Sequence, residues 1–200
     1  MKNIAACALL ISVTAIFHSN PVLAQDKEQD SAVANPGHPS TPPLRGVRFA
    51  GQGVLRFFGF DIYRARLWVG PGFSAEQYAA HRLALELTYY RDFTAEAIAK
   101  RSIEEMRRAG SFSAEQGTRW QEALQAALPD VKSGDRLVGL YQPGVGVVFK
   151  IGGRVVGEVP DAEFARLFFG IWLSPKTSEP ALREQLMAAL APAPAAGARP

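Results

Sequence analysis

The strongest constraint on this chain is where its alternating stretches fall. Successive side chains of a strand point to opposite faces, so apolar, β-branched or aromatic residues at every second position mark strands. Such runs occur near Arg45–Phe49, Leu55–Phe60, Ile62–Val69, Leu83–Tyr90, Arg136–Tyr141, Gly146–Ile151 and Arg154–Val159. Two stretches of helical character separate the fourth run from the fifth. Strands, then helices, then more strands and closing helices is the order of a segregated α+β fold, not of alternating βαβ units. The expected architecture is a large antiparallel sheet with helices layered on one face. "KIGGRV" between the last two runs is a hairpin signal, because glycines reach the positive φ of a tight primed turn.

Helix starts are written in a repeated phrase. "FSAEQ" occurs at Phe73–Gln77 and Phe112–Gln116, and "FTAEA" at Phe93–Ala97. Each offers Ser or Thr as an N-cap behind an apolar residue, and both FSAEQ copies place Gln where a capping box needs it. Tyr78 and Ile98 stand where they could staple to Phe73 and Phe93. The helices are expected at Ser74–Ala80, Thr94–Ala109, Ser113–Leu128, Asp161–Phe169 and Ser178–Leu190. Those on either side of "GS" should form a helical hairpin.

The ends of the 200-residue chain read differently. Lys2, the apolar stretch Ile4–Phe17 and Val22-Leu23-Ala24 form the three regions of an export signal, and the apolar part is short for a bilayer span. Cleavage is expected after Ala24, so residues 1–24 are a signal peptide. Residues 25–43 are a polar, proline-rich linker, 44–190 one domain, and 191–200 a low-complexity tail. No stable membrane insertion is expected after cleavage. The single cysteine, Cys7, lies in the signal, so the mature chain holds no disulfide, thiolate nucleophile or cysteine ligand. Export without disulfides points to a bacterial periplasmic protein.

Composition and motifs exclude several chemistries. Without Lys2, 21 basic residues face 19 acidic ones, a net charge of +2 that does not mark a nucleic-acid binder. The domain's one histidine, His81, opens a strand at a loop edge without convergent partners, so it reads as a surface residue and leaves no triad or metal site. "PGVGVVFKIGG" lacks the G-x-G-x-x-G spacing and the following helix of a phosphate cradle. Arg101, Glu104, Glu105, Arg107 and Arg108 have the spacing of a solvated ion-paired helix face. No cofactor motif is visible.

What remains is arginine and tyrosine among apolar residues, in "GVLRFFGFDIYRARLWVG", Gly53–Gly70. A guanidinium forks onto a carboxylate or enolate oxygen, and a phenol adds a further donor. Alternation puts Ile62, Arg64, Arg66 and Trp68 on one face and Tyr63, Ala65, Leu67 and Val69 on the other. The second set reads as core and the first as a half-wet face. Arg56 follows "GQGVL", a glycine-flanked bend that could aim it into a cleft.

The segments "GQGVLRFFGFDIYRARLWV" and "GDRLVGLYQPGVGVVFKIGGRVVGEVPDAEFARLFFGIWLSPKTSEPALREQL" resemble bacterial members of the chalcone isomerase-like family. The resemblance spans Leu44–Leu190 and implies a large antiparallel sheet, a helix layer and a cleft between them. The plant enzymes of this family close a ring without a cofactor, by adding a phenolate to an enone. Carried over by motif, Arg56 takes the place of their anion-stabilising arginine, and Tyr63 that of a strand hydroxyl which is threonine in the plant catalysts. Relatives that bind fatty acids also pair an arginine with a tyrosine. The plant catalysts further carry a tyrosine and an asparagine on the long helix, and residues 91–108 contain neither.

Three readings stand at this point. One is a periplasmic binding protein for a small apolar anion of fatty-acid or phenolic type, held by Arg56 and Tyr63. Another is a cofactor-independent isomerase or intramolecular lyase of enone-like substrates, with Arg56 and Tyr63 as its catalytic candidates. The last is a structural domain with a vestigial cleft, for which the cleft should be filled and Arg56 paired to Asp61 or to a helix glutamate. Oligomeric state is open in all three.

Overall fold

In the computed structural model, residues 42–190 are described. The expected signal segment 1–24, the tail 191–200 and all but the last two residues of the linker 25–43 lie outside them. Six strands form one sheet: β1 (Arg48–Phe57), β2 (Phe60–Val69), β3 (Leu83–Tyr89), β4 (Arg136–Gln142), β5 (Gly146–Ile151) and β6 (Arg154–Val159). Their spatial order is their sequence order, and every neighbouring pair is antiparallel. Between β3 and β4 the chain forms α1 (Ala95–Ala109) and α2 (Ala114–Ala127), then returns beside the strand it left. Helices α3 (Ala162–Leu173) and α4 (Pro180–Leu186) follow β6. This is the expected α+β architecture. Gly152 and Gly153 turn β5 into β6 with φ of 57° and 80°, the geometry of a primed two-residue turn.

The core lies between the sheet and the helices. Ala65, Leu67 and Val69 of β2, Leu85 and Leu87 of β3 and Phe149 of β5 pack with Ala99, Ile103 and Met106 of α1, Leu124 of α2 and Phe164, Leu167 and Phe169 of α3. In α1 the buried apolar residues Ala95, Ala99, Ile103 and Met106 recur at steps of three or four, one stripe of a helix. Thr94 caps α1 through the Ala97 amide, and Ser113 and Gln116 close a reciprocal capping box on α2. Asp161 caps α3 and also accepts the Trp120 indole N–H at 2.8 Å, which ties α2 to α3.

Five expectations need correction. The runs Arg45–Phe49 and Leu55–Phe60 are not two strands: residues 48–57 form one strand, β1, with "AGQG" inside it and register shifts between Phe49 and Gly51 and between Leu55 and Arg56, and Phe60 opens β2. The glycines serve close approach rather than a bend. A Cβ on Gly51 would collide with the backbone of Gln185 and Leu186, and one on Gly53 with the Leu182 and Gln185 side chains. The first FSAEQ copy gives only a 3-10 turn, Tyr78–Ala80. β3 begins at Leu83, so no amphipathic face follows to repay helix nucleation.

The sheet's second face is not simply wet. Trp68, Ala84 and Leu140 are buried there with Leu44, Val47, Phe49, Val138 and Val148 packed around them. Arg64 is half-buried, whereas Arg66 and Glu86 are buried. Arg66 donates to Gln52 at 3.0 Å and lies 3.6 Å from Glu86, whose other oxygen accepts from Arg136 at 2.6 Å. Finally, the charged face of α1 is only partly solvated. Glu105 is buried, and Arg101, Arg108 and Ser178 converge on it.

Candidate functional site

Alternation fixes where Arg56 and Tyr63 point. Gly53 pairs with Ala65 and Leu55 with Tyr63, so these residues face the helices. Val54 pairs with Arg64 and Gln52 with Arg66, on the opposite face. Arg56 continues the Gln52–Val54 set, and it lines a surface hollow of about 210 Å³ with Gln52, Gly53, Val54, Arg64 and Gln185. Its Nε donates to Asp61 Oδ1 at 2.7 Å, with 65% of the Arg56 side chain exposed. The structure therefore does not bring Arg56 and Tyr63 into one cleft. In place of the expected bend there is a strand whose ladder with β2 shifts register between Leu55 and Arg56, and Arg56 opens onto the hollow rather than onto Tyr63.

Tyr63 does face the helix layer. Its hydroxyl accepts the Trp172 indole N–H at 3.0 Å, and its ring meets Tyr89 edge-on at 6.0 Å. Burial pushes the phenol well above the ordinary tyrosine range. Trp172 opposes that shift, while Glu179 and Glu105 add to it and Arg101 again opposes it. The hydroxyl is thus protonated at neutral pH, a donor rather than a base. Among the described residues no acceptor takes its proton.

Trp172 has a second role. With Leu85, Leu87, Leu137, Gly139, Phe149, Phe168 and Phe169 it lines an apolar cavity of about 20 Å³ between sheet and α3. That volume is close to the minimum for one water. Phe168 packs edge-on against Phe149, Phe169 and Trp172 and so fills most of the space between the layers.

On the helix side, Arg101 donates to Glu105 at 2.6 Å and lies 3.2 Å from Glu104. Arg108 lies 3.2 Å from Glu105, and Ser178 Oγ donates to it at 2.7 Å. This cluster ties α1 to the turn before α4 and brings the charge of Arg101 to bear on Tyr63. Sequence pattern did not single out Trp172, and it placed Arg101 and Glu105 on a solvated ion-paired face rather than in a site. Trp172 reads as one more apolar residue of "FFGIWL". Arg101 and Glu105 read as an i,i+4 pair, and only the turn at Ser178 shows that the pair is enclosed.

The arrangement offers one phenolic donor at the end of an apolar layer, an indole that orients it, and nearby charges in which Glu179 and Glu105 outweigh Arg101. No curated protein matches the chain. A solved structure of a fatty-acid binding protein from Arabidopsis thaliana superposes with a TM-score of 0.55 at 13% identity, over 72% of this chain and 87% of that one, and shares its fold. A family model described as chalcone isomerase-like matches residues 46–188, which contain the whole sheet and all four helices; the chain belongs to the chalcone isomerase-like family.

Proposed function

We propose that this domain is a non-catalytic binding protein for a small apolar ligand with an oxygen head group, of fatty-acid or phenolic type. The observation that carries the reading is the Tyr63 hydroxyl, oriented by Trp172 and with its own proton uncommitted among the described residues. The head group accepts a hydrogen bond from that hydroxyl; Glu179 and Glu105 outweigh Arg101 there, so the phenol and not a cation is what receives it. The apolar tail enters between sheet and α3 by displacing the Phe168 ring, while Trp172 stays on the Tyr63 hydroxyl. The fatty-acid binding protein of the same fold supports this class of ligand. Turnover is disfavoured, since a phenol held above its usual pKa is no base. The exposed Arg56 is on the wrong face to stabilise an enolate beside Tyr63.

The small cavity and the Arg56–Asp61 pair both favour a second reading, a structural domain with a vestigial cleft. Titration with a medium-chain fatty acid and with a hydroxycinnamate separates the two. Binding is expected, with Tyr63→Phe weakening it by about tenfold, the worth of one well-placed hydrogen bond, and Arg56→Met leaving it unchanged. No binding of either probe, or binding indifferent to Tyr63→Phe, selects the structural reading. A loss on Arg56→Met would instead show that the arginine swings to the helix face on binding.

We further propose that the protein acts in the periplasm after cleavage following Ala24. The n-region, apolar segment and small-residue site of residues 1–24 support this. Sequencing the mature N-terminus should read Gln25 first, and a retained Met1 in the membrane fraction would refute it.

A further inference from the structure

The turn from β1 to β2 is the two-residue loop Phe58–Gly59 between the cross-strand partners Phe57 and Phe60. Both loop residues have positive φ, 49° and 81°. Asn-Gly or Gly-Gly supplies that geometry at least cost. A phenylalanine there is an outlier, and among the described residues Phe58 is the one non-glycine with positive φ. Its ring gains nothing from burial either: Phe58 is 83% exposed, Phe57 52% and Phe60 56%. Folding gives no reason for three phenyl rings at this apex, and strain held at an exposed apolar site points to a use.

The chemistry around the tip narrows the partner. Phe57 and Phe58 meet edge-on at 4.4 Å, and the Arg91 guanidinium sits 4.4 Å over the Phe60 ring. The apex carries no hydrogen-bonding side chain with which a protein partner could be read. Behind it, Arg56, Arg64 and Arg91 outnumber Asp61, and the neighbouring Asp92 is held by Lys132. Aromatic rings ahead of a cationic collar match the boundary between anionic headgroups and acyl chains. The β1–β2 ladder pairs the inner side of the edge strand β1 behind the tip, and shallow entry keeps its open side at the level of the polar headgroups. Among the described residues no helix is long and apolar enough to cross a membrane, so such attachment is peripheral. We propose that the Phe57–Phe60 tip is a reversible docking wedge for an anionic lipid bilayer.

The test places a reporter on the tip. The full chain carrying Phe58→Trp is mixed with phosphatidylglycerol–phosphatidylcholine vesicles whose acyl chains are brominated. The added indole is expected to shift to shorter wavelength and to be quenched. The wild-type chain supplies the background of Trp68, Trp120 and Trp172, which are 1%, 4% and 7% exposed. Adding Phe57→Ser and Phe60→Ser should raise the half-saturating lipid concentration about tenfold, and omitting phosphatidylglycerol should raise it further. The readout is local, so lipid binding by the apolar N-terminal stretch does not produce it. Unchanged emission on adding vesicles overturns the proposal, as does a response indifferent to the two serines. A shift that follows protein concentration without lipid also overturns it and assigns the tip to a second copy of the chain. Phe58→Asn, which suits the turn, should fold at least as stably as wild type, and a lower melting midpoint would remove the strain argument and overturn the proposal.

Discussion

Arg56 and Arg66 stand ten positions apart on adjacent strands of one apolar hairpin and have opposite energetic roles. The Arg56–Asp61 pair is open to water on both sides, with side chains 65% and 45% exposed, and exposed pairs contribute little. Arg66 keeps only 11% of its side chain exposed, and it shares Glu86, 4% exposed, with Arg136. Arg56→Met should therefore change unfolding free energy by less than about 1 kcal/mol. Arg66→Met should cost about 2–4 kcal/mol, because it leaves a buried carboxylate with one cation instead of two. Urea melts of both variants check the order, and a larger loss for Arg56→Met would overturn it. Alternation within β2 was enough to put Arg64 and Arg66 on one face and Tyr63 on the other. It could not show that Arg66 is covered. That depends on Gln52 of β1 and Glu86 of β3 arriving opposite it, with Arg136 of β4 on the far side of Glu86, a matter of register that no single strand records. The helix-facing position of Tyr63 was legible for the same reason that the position of Arg56 was not: one lies in an unbroken alternation, and the other follows glycines whose purpose is set by α4.

At the scale of elements, the same phrase has two outcomes. After Ser113, Trp120, Leu124 and Ala127 follow on one buried stripe, and the capping box closes. After Ser74, only Tyr78 is buried before β3 begins, and its hydroxyl donates to the Arg166 carbonyl at 3.0 Å. The Ser74 hydroxyl instead donates to Glu76. A cap completes a helix that packing already favours; it does not create one. Ser113→Ala should thus destabilise the fold by about 1 kcal/mol, and Ser74→Ala should fall within about 0.5 kcal/mol of wild type. Thermal or urea melts of the two variants measure this directly, and equal losses would mean that the first phrase caps a helix after all. Caps at Thr94, Ser113 and Asp161 were readable because each acts within one turn. The enclosure of Glu105 was not, since Ser178 lies 73 positions away.

For the whole molecule, the buried phenols set an alkaline limit. Tyr63 and Tyr89 are both pushed up, in each case chiefly by burial. The folded state therefore holds their protons at pH values where the unfolded chain releases them. With more protons bound in the native state, unfolding free energy falls as pH rises. Their contribution is complete below the ordinary tyrosine pKa of about 10 and is lost progressively above it. Alkaline titration followed by circular dichroism should show stability declining above about pH 10, with a shallower decline in Tyr63→Phe and Tyr89→Phe. An identical slope in both variants would place the limit elsewhere. The seat of α4 on β1 has a different consequence, in time rather than in energy. The glycine surface at Gly51 and Gly53 accepts Leu182, Gln185 and Leu186, residues made at the other end of the domain. While the chain is being synthesised, that face of the outer strand waits uncovered until nearly everything else has left the ribosome, open to contact with a neighbouring nascent chain. The last helix is thus the closure that ends the domain's period of risk.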